Sequence, residues 1–235
     1  MIPLHDNVPS RRFPVVTVAL IVINVIVFVF ELVLPRWGLT LDGADSVFYR
    51  AGAVPYELIH GTDLLPLALV PIWATIVTSM FLHGGWLHLI GNMLFLWIFG
   101  NNVEDRMGHV RFAVFYLLCG LAAVWAQTLS STESQTPMIG ASGAIAGVLG
   151  AYLLLFPRAR VLTLLTLIVA YPVFWIRAWF FLGVWFGLQF VFGLVTVGEE
   201  TGTAYFEHIG GFVAGLILVW LFAVPPPTFE RQNAA

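Results

Sequence analysis

The chain has 235 residues, 60% of them hydrophobic and only 10% charged. A soluble globular domain carries roughly 25% charged residues, so a water-facing surface is excluded over most of this molecule and lipid must cover it. Thirteen acidic residues stand against ten arginines, with no lysine and a net charge of −3; no basic run or charged tail offers a footing for nucleic acid.

Six segments read as membrane spans, in chain order 14–34, 87–100, 111–129, 140–156, 178–197 and 204–224. The first follows Ser10-Arg11-Arg12-Phe13, an opening shared with twin-arginine and secretory leaders. It is about 20 residues long, enough to cross a hydrocarbon core of roughly 30 Å. No small-x-small cleavage site follows it, so it is read as a retained span. The long connection after it, from Pro35 to about Trp86, mixes Trp37, Tyr49, Tyr56 and Trp73 with prolines and apolar residues, a composition suited to the membrane interface. Two later spans are short and need shielding by neighbours or a thinned bilayer. The apolar stretch 161–175 follows Arg158 and Arg160 and is interrupted by Pro172. It is read as a connection lying on the membrane face, because a seventh span would spoil the arginine pattern. Pro225-Pro226-Pro227 stops the last helix.

Orientation follows from arginine placement. With six spans and the N-terminus inside, Arg11, Arg12, Arg106, Arg111, Arg158, Arg160, Arg177 and Arg231 fall inside, and Arg36 and Arg50 outside. Both termini are therefore expected in the cytoplasm. There is no internal repeat and no second domain. Cys119, alone of its kind, lies in an apolar stretch and reads as a small buried apolar residue.

Polar residues at membrane depth carry the functional information. Gly140-Ala141-Ser142-Gly143 opens the fourth span, with Gly147 four residues after Gly143. Ser142 there is either one more small residue on a packing face or a nucleophile at a helix start, where free N–H groups can bind an oxyanion. His208, Gly211 and Gly215 share one face of the sixth span. The histidine either bonds a backbone carbonyl or points at a closely packed neighbour, for which the glycine-rich face around Ser142 is the candidate. His88 and Asn92 share a face at the start of the second span. A metal site from His83, His88 and His109 is disfavoured, because His109 falls on the other side of the membrane and no carboxylate is near. A serine, a histidine and two hydrogen-bond donors are what acyl transfer needs. No aspartate at depth is available to orient His208, so the pair would work as a dyad, without the third group of the usual triad.

Several motifs occur together in order: Phe-Leu-His-Gly-Gly-Trp-Leu-His-Leu-Ile-Gly-Asn-Met-Leu-Phe-Leu at 81–96, Val-Glu-Asp-Arg-Met-Gly at 103–108, Gly-Ala-Ser-Gly at 140–143, Trp185 with Gln189, and His208-x-x-Gly211-x-x-x-Gly215. In this arrangement the chain closely resembles bacterial rhomboid proteases from about Trp73 to Gly215. The resemblance implies an all-α, polytopic membrane protein: one domain of six helices over 1–235, a catalytic core at about 73–224, and short cytoplasmic tails at 1–13 and 225–235. It implies a serine endopeptidase of the cell inner membrane that cleaves transmembrane protein substrates within the lipid bilayer, with no cofactor and no metal. Ser142 would be the nucleophile and His208 the base, with His88 and Asn92 donating to the oxyanion. Gly140, Gly143, Gly211 and Gly215 would support them. Trp185 and Gln189 lie on a fifth helix that gates substrate entry, and the active site opens to the outer side. Glu104 and Arg106 match a pair that braces a helix end. Three positions depart from the family pattern. Trp73-Ala74-Thr75 stands where many members have Trp-Arg, so whatever that arginine does is missing or supplied by Arg36 or Arg50. Glu207 precedes the histidine where a small residue is usual. Ala146 stands where some members stack a tyrosine on the histidine. The alternatives are a rhomboid-like pseudoprotease that binds membrane clients without cleavage and a transporter, which would want intramembrane carboxylates or paired broken helices. Zinc and aspartyl intramembrane proteases lack their motifs here.

Overall fold

The computed structural model describes residues 1–33, 46–165, 172–196 and 203–224. Arg36, Trp37, Arg231 and the 225–227 proline stop lie outside the described residues. The first helix, α1 (Val15–Val33), has the highest mean hydropathy of the spans, 2.8. Its buried residues, Thr17, Leu20, Asn24, Phe28 and Glu31, recur at three and four and form one face, and the rest of the helix is left for lipid. No local side chain caps its start. Glu104, far away in sequence, does so: Oε1 accepts from Val16 N at 2.8 Å, and Oε2 from Thr17 N and Thr17 Oγ1 at 2.7 Å. A carboxylate at a helix N-terminus satisfies its free donors and its dipole.

The connection after α1 forms short helices α2 (Val47–Ala51), α3 (Pro55–His60) and α4 (Thr75–Thr78), followed by a 3-10 turn at Ser79–Phe81. Leu65, Leu67, Leu69 and Trp73 are exposed along it, while Leu58, Ile76 and Met138 form a satellite core. Next, α5 (Trp86–Phe95) passes through a π-helical turn (Leu96–Gly100) into α6 (Asn101–Met107). Arg106 Nη2 donates to Val224 O, and Val224 N to Arg106 O. Glu104 and Arg106 therefore each brace a different helix end.

Helix α7 (His109–Ser130) leads to α8 (Ser142–Leu155), then α9 (Ala178–Val195) and α10 (Tyr205–Phe222). Among the described residues four helices are long and apolar enough to cross a membrane, and a fifth span is counted if the 94° bent pair Thr75–Phe81 and Trp86–Met107 is one. The 14-residue α8 falls outside that test. At 1.5 Å per residue it is about 21 Å long, short of a bilayer core. Residues 143–152 are buried without a break, so protein surrounds α8 on every side, and an all-round apolar helix suits such a site. Its closest neighbour is α10. A Cβ on Gly211 would collide with Gly143 O, one on Gly215 with Gly147 O, and one on Gly150 with Phe212 O. These glycines let the two backbones touch.

The expected helical architecture holds for most of the chain, and a small sheet accompanies it. Three antiparallel strands, β1 (Ile2–Asp6), β2 (Arg160–Leu164) and β3 (Val173–Arg177), form a sheet in that order. Within the stretch 161–175, residues 161–164 belong to β2 and 173–175 to β3, whose β-branched and aromatic residues suit strands, while 166–171 lie outside the described residues; the N-terminal tail supplies the remaining strand. Asp6 anchors β1: its buried Oδ2 accepts from Asn102 Nδ2 at 2.7 Å and from the Tyr152 hydroxyl. Burial pushes the Asp6 carboxyl above the usual carboxylate range, against the pull of the Tyr152 hydrogen bond and of His5.

Candidate active site

The loop entering α8 is held on both sides. Met138 and Ala53 exchange backbone hydrogen bonds at 2.8 and 3.1 Å, and Gly140 N donates to Ser79 O at 2.8 Å. Gly140 has φ of 125°, a backbone region closed to most side chains, and a Cβ there would meet His88 Nε2 at 2.7 Å. Position 140 therefore accepts only glycine, and His88 is pressed against the turn that delivers Ser142. The first hydrogen bond of the helix runs from Ile145 N to Ala141 O, so the N–H groups of Ser142, Gly143 and Ala144 start α8 without intrahelical partners.

Ser142 Oγ lies 2.8 Å from His208 Nε2. The other ring nitrogen, Nδ1, lies 2.8 Å from Gln189 Oε1 on α9. An amide oxygen only accepts, so Nδ1 carries the proton and Nε2 offers its lone pair to the serine hydroxyl, the tautomer a general base needs. Gln189, expected only as a gate residue, is the neutral third group that orients the imidazole. Trp185, one helical turn earlier on α9, packs its ring 5.9 Å from that of His208. It provides the aromatic support that Ala146 does not.

Asn92 is buried, and its Nδ2 lies 3.1 Å from His83 Nε2. His83 Nδ1 lies 3.2 Å from Phe81 O and so donates to that carbonyl. His83 Nε2 then accepts one Asn92 amide proton, which leaves the second amide proton free. His83 is itself fixed by Glu31, whose carboxylate accepts from His83 N at 3.2 Å, and its ring packs 5.0 Å from His88. Neither His83 nor Glu31 was singled out for this purpose in the sequence. Gln127 was also missed: its Oε1 accepts from Phe206 N and Glu207 N at 3.1 and 3.2 Å and caps the start of α10. As polar residues at membrane depth, Gln127 and Glu31 carried a readable signal.

Ser142, His208, His88, Asn92, Trp185 and Glu207 line one cavity of about 630 Å³. Gly143, Gly211 and Gly215 lie at the α8–α10 contact below it. Among the described residues no three His, Cys, Asp or Glu side chains cluster as a metal would require. Trp73 stacks on Trp125, with centroids 6.3 Å apart, while Arg50 holds the loop after α3 through its carbonyl, which accepts from Leu69 N at 2.7 Å.

Comparison with known proteins matches the Rhomboid domain to residues 71–225. Similar proteins include "RHOMBOID-like protein 5" of Arabidopsis thaliana, 36% identical over 33% of this chain and 25% of its own length. "Rhomboid-like protein 11, chloroplastic" of the same plant is 28% identical over 87% of this chain and 69% of its own. "Rhomboid protein 1, mitochondrial" of Saccharomyces cerevisiae is 31% identical over 68% of this chain and 46% of its own. The chain thus spans between a quarter and about two thirds of these curated relatives. They are eukaryotic and two carry organelle names, so the expected bacterial type narrows to the family as a whole. Since the domain match takes in every helix from α5 to α10, this membrane protein belongs to the rhomboid family.

Proposed function

We propose that the protein is an intramembrane serine endopeptidase that hydrolyses peptide bonds in or near transmembrane segments of other proteins. The observation that carries this reading is the 2.8 Å contact between Ser142 Oγ and His208 Nε2 at the start of a buried helix. Ser142 Oγ attacks the scissile carbonyl while its proton passes to Nε2. The carbonyl electrons move onto oxygen, and the Ser142 N–H, the free Asn92 amide proton and His88 donate to that oxyanion. Collapse breaks the C–N bond, and the proton on Nε2 leaves with the amine. A water, deprotonated by the same nitrogen, then hydrolyses the acyl-enzyme. No step uses a metal or a cofactor.

Helix α9 is the gate through which a substrate helix reaches the cavity. It buries only Ala178, Phe181, Leu182 and Gly193, so little packing opposes its displacement. The chain is placed as a multi-pass protein of the cell inner membrane, with both termini cytoplasmic and the cavity open to the outer side. Arginine placement supports this orientation. Arg106 bonds the end of α10, Arg177 bonds Arg158 O, and Arg160 pairs with Arg177 in the sheet, all at the end of the bundle that holds β1. The decisive experiment is fluorophosphonate labelling of detergent-solubilised protein with mapping of the adduct. Ser142→Ala is expected to abolish both labelling and cleavage of a model transmembrane substrate while the fold persists. Cleavage at the wild-type rate by that variant overturns the assignment.

A further inference from the structure

The cavity contains one carboxyl group that the reaction above does not use. Glu207 precedes His208 on α10 and is only 3% exposed, yet it lines the same cavity as Ser142 and His208. Its side chain lies against the residue that follows the nucleophile: a Cβ on Gly143 would stand 2.7 Å from Glu207 Oε1 and 2.8 Å from its Cγ. The carboxyl is therefore within roughly 8 Å of the Ser142 Cα, a distance that an arginine or lysine side chain spans.

Among the described residues no donor bonds the Glu207 carboxyl, while its backbone N–H donates to Gln127 Oε1 and to Ala204 O. The helices around it supply no counter-charge. Within the helices α7, α8, α9 and α10 themselves the sole basic residue of arginine or lysine type is Arg111, in the first turn of α7, some 24 Å along that helix from Gln127. A buried carboxylate needs donors or a cation. The positive end of α8 is close, but the oxyanion must form at that same helix start.

We infer that Glu207 is a specificity-determining residue whose carboxyl pairs with the guanidinium or ammonium group of a substrate residue flanking the scissile bond. The chain therefore cleaves beside arginine or lysine. The cation satisfies the buried carboxyl with charge-assisted hydrogen bonds. The inference rests on the protease reading proposed above.

The test uses full-length protein in detergent and a set of transmembrane peptide substrates identical except at the residues flanking the cleaved bond. Arginine and lysine are compared there with glutamine and methionine, which have similar length and no charge. Wild-type kcat/KM is expected to favour the cationic members by at least about ten-fold. In Glu207→Gln, which keeps the shape of the side chain, that ratio is expected to fall to within about two-fold of unity. A flat wild-type profile overturns the inference without reference to any variant, as does a cationic preference that survives in Glu207→Gln. Fluorophosphonate labelling of Ser142 separates the two levels. Labelled protein with a flat profile removes only the role of Glu207, whereas protein that neither labels nor cleaves any member removes the protease reading and this inference together.

Discussion

Gly211→Ala tests whether backbone contact between α8 and α10 is what places the base. Gly211 follows His208 by one helical turn on the face that meets α8, where a Cβ would run into Gly143 O. Carbon and oxygen approach no closer than about 3.3 Å in ordinary contacts, so α10 must retreat from α8 by on the order of 1 Å. His208 moves with it, and the 2.8 Å separation from Ser142 Oγ grows beyond hydrogen-bond length. Overpacking of this kind costs about 1–3 kcal/mol of stability, and a misplacement of about 1 Å costs about 100-fold in rate. The expected result is a protein that still folds in detergent, with a lower unfolding midpoint and a Ser142 labelling rate down by about 100-fold. Gly183→Ala on α9 is the control. Nothing lies within 4 Å of a Cβ there, and alanine in a helix gains about 0.5–1 kcal/mol over glycine. Full labelling by folded Gly211→Ala refutes the reasoning, because His208 would then be positioned by something other than this contact.

Asn92→Ala and His88→Ala are each expected to lower turnover by about ten- to a hundred-fold, with the double variant lower still and substrate binding little changed; full turnover in both single variants makes the pair structural. Gln189→Leu removes the acceptor that holds Nδ1–H, so kcat should fall by about ten-fold or more with KM nearly constant, and an equal rise in KM would point to substrate binding instead. Burial raises the Asp6 carboxyl, so the folded state holds a proton more readily than the unfolded state, whose value is about 3.9. The contribution of Asp6 to stability should therefore fall as pH rises from there through the raised folded value and level off above it; unfolding midpoints between pH 4 and 7 should slope less in Asp6→Asn than in wild type. A reporter fused after Ala235 that is active only on the outer side should stay silent, and strong signal would require an odd number of spans.

The helices could be read from apolar runs, because a bilayer demands long stretches without charge and the chain breaks them only at turns. Glycine spacing at 143 and 147 and at 211 and 215 marked the two faces that meet, since each lies on one side of its helix. The sheet was not legible. Ile2–Asp6 is five residues with a proline and a histidine, and its partner lies about 160 positions away, with no local pattern linking them. Nor could spacing show that Gln189 reaches His208 or that His83 holds Asn92. Those contacts depend on how α9 crosses α10 and on the 94° bend between Thr75–Phe81 and Trp86–Met107, which are set by side-chain packing.

The position of β1 also bears on the order of synthesis. Ile2 pairs with Leu164, and Asp6 bonds Tyr152, so the strand leaves the ribosome long before either partner exists. At about 5–20 residues per second the interval is roughly 8–30 s. Throughout it an unpaired strand edge, open to association with other chains, and a carboxylate without its donors remain in water while the helices from α1 to α8 are made. Pairing of β1 is thus a late event in biogenesis. It comes only after α8, which carries the nucleophile, has been made.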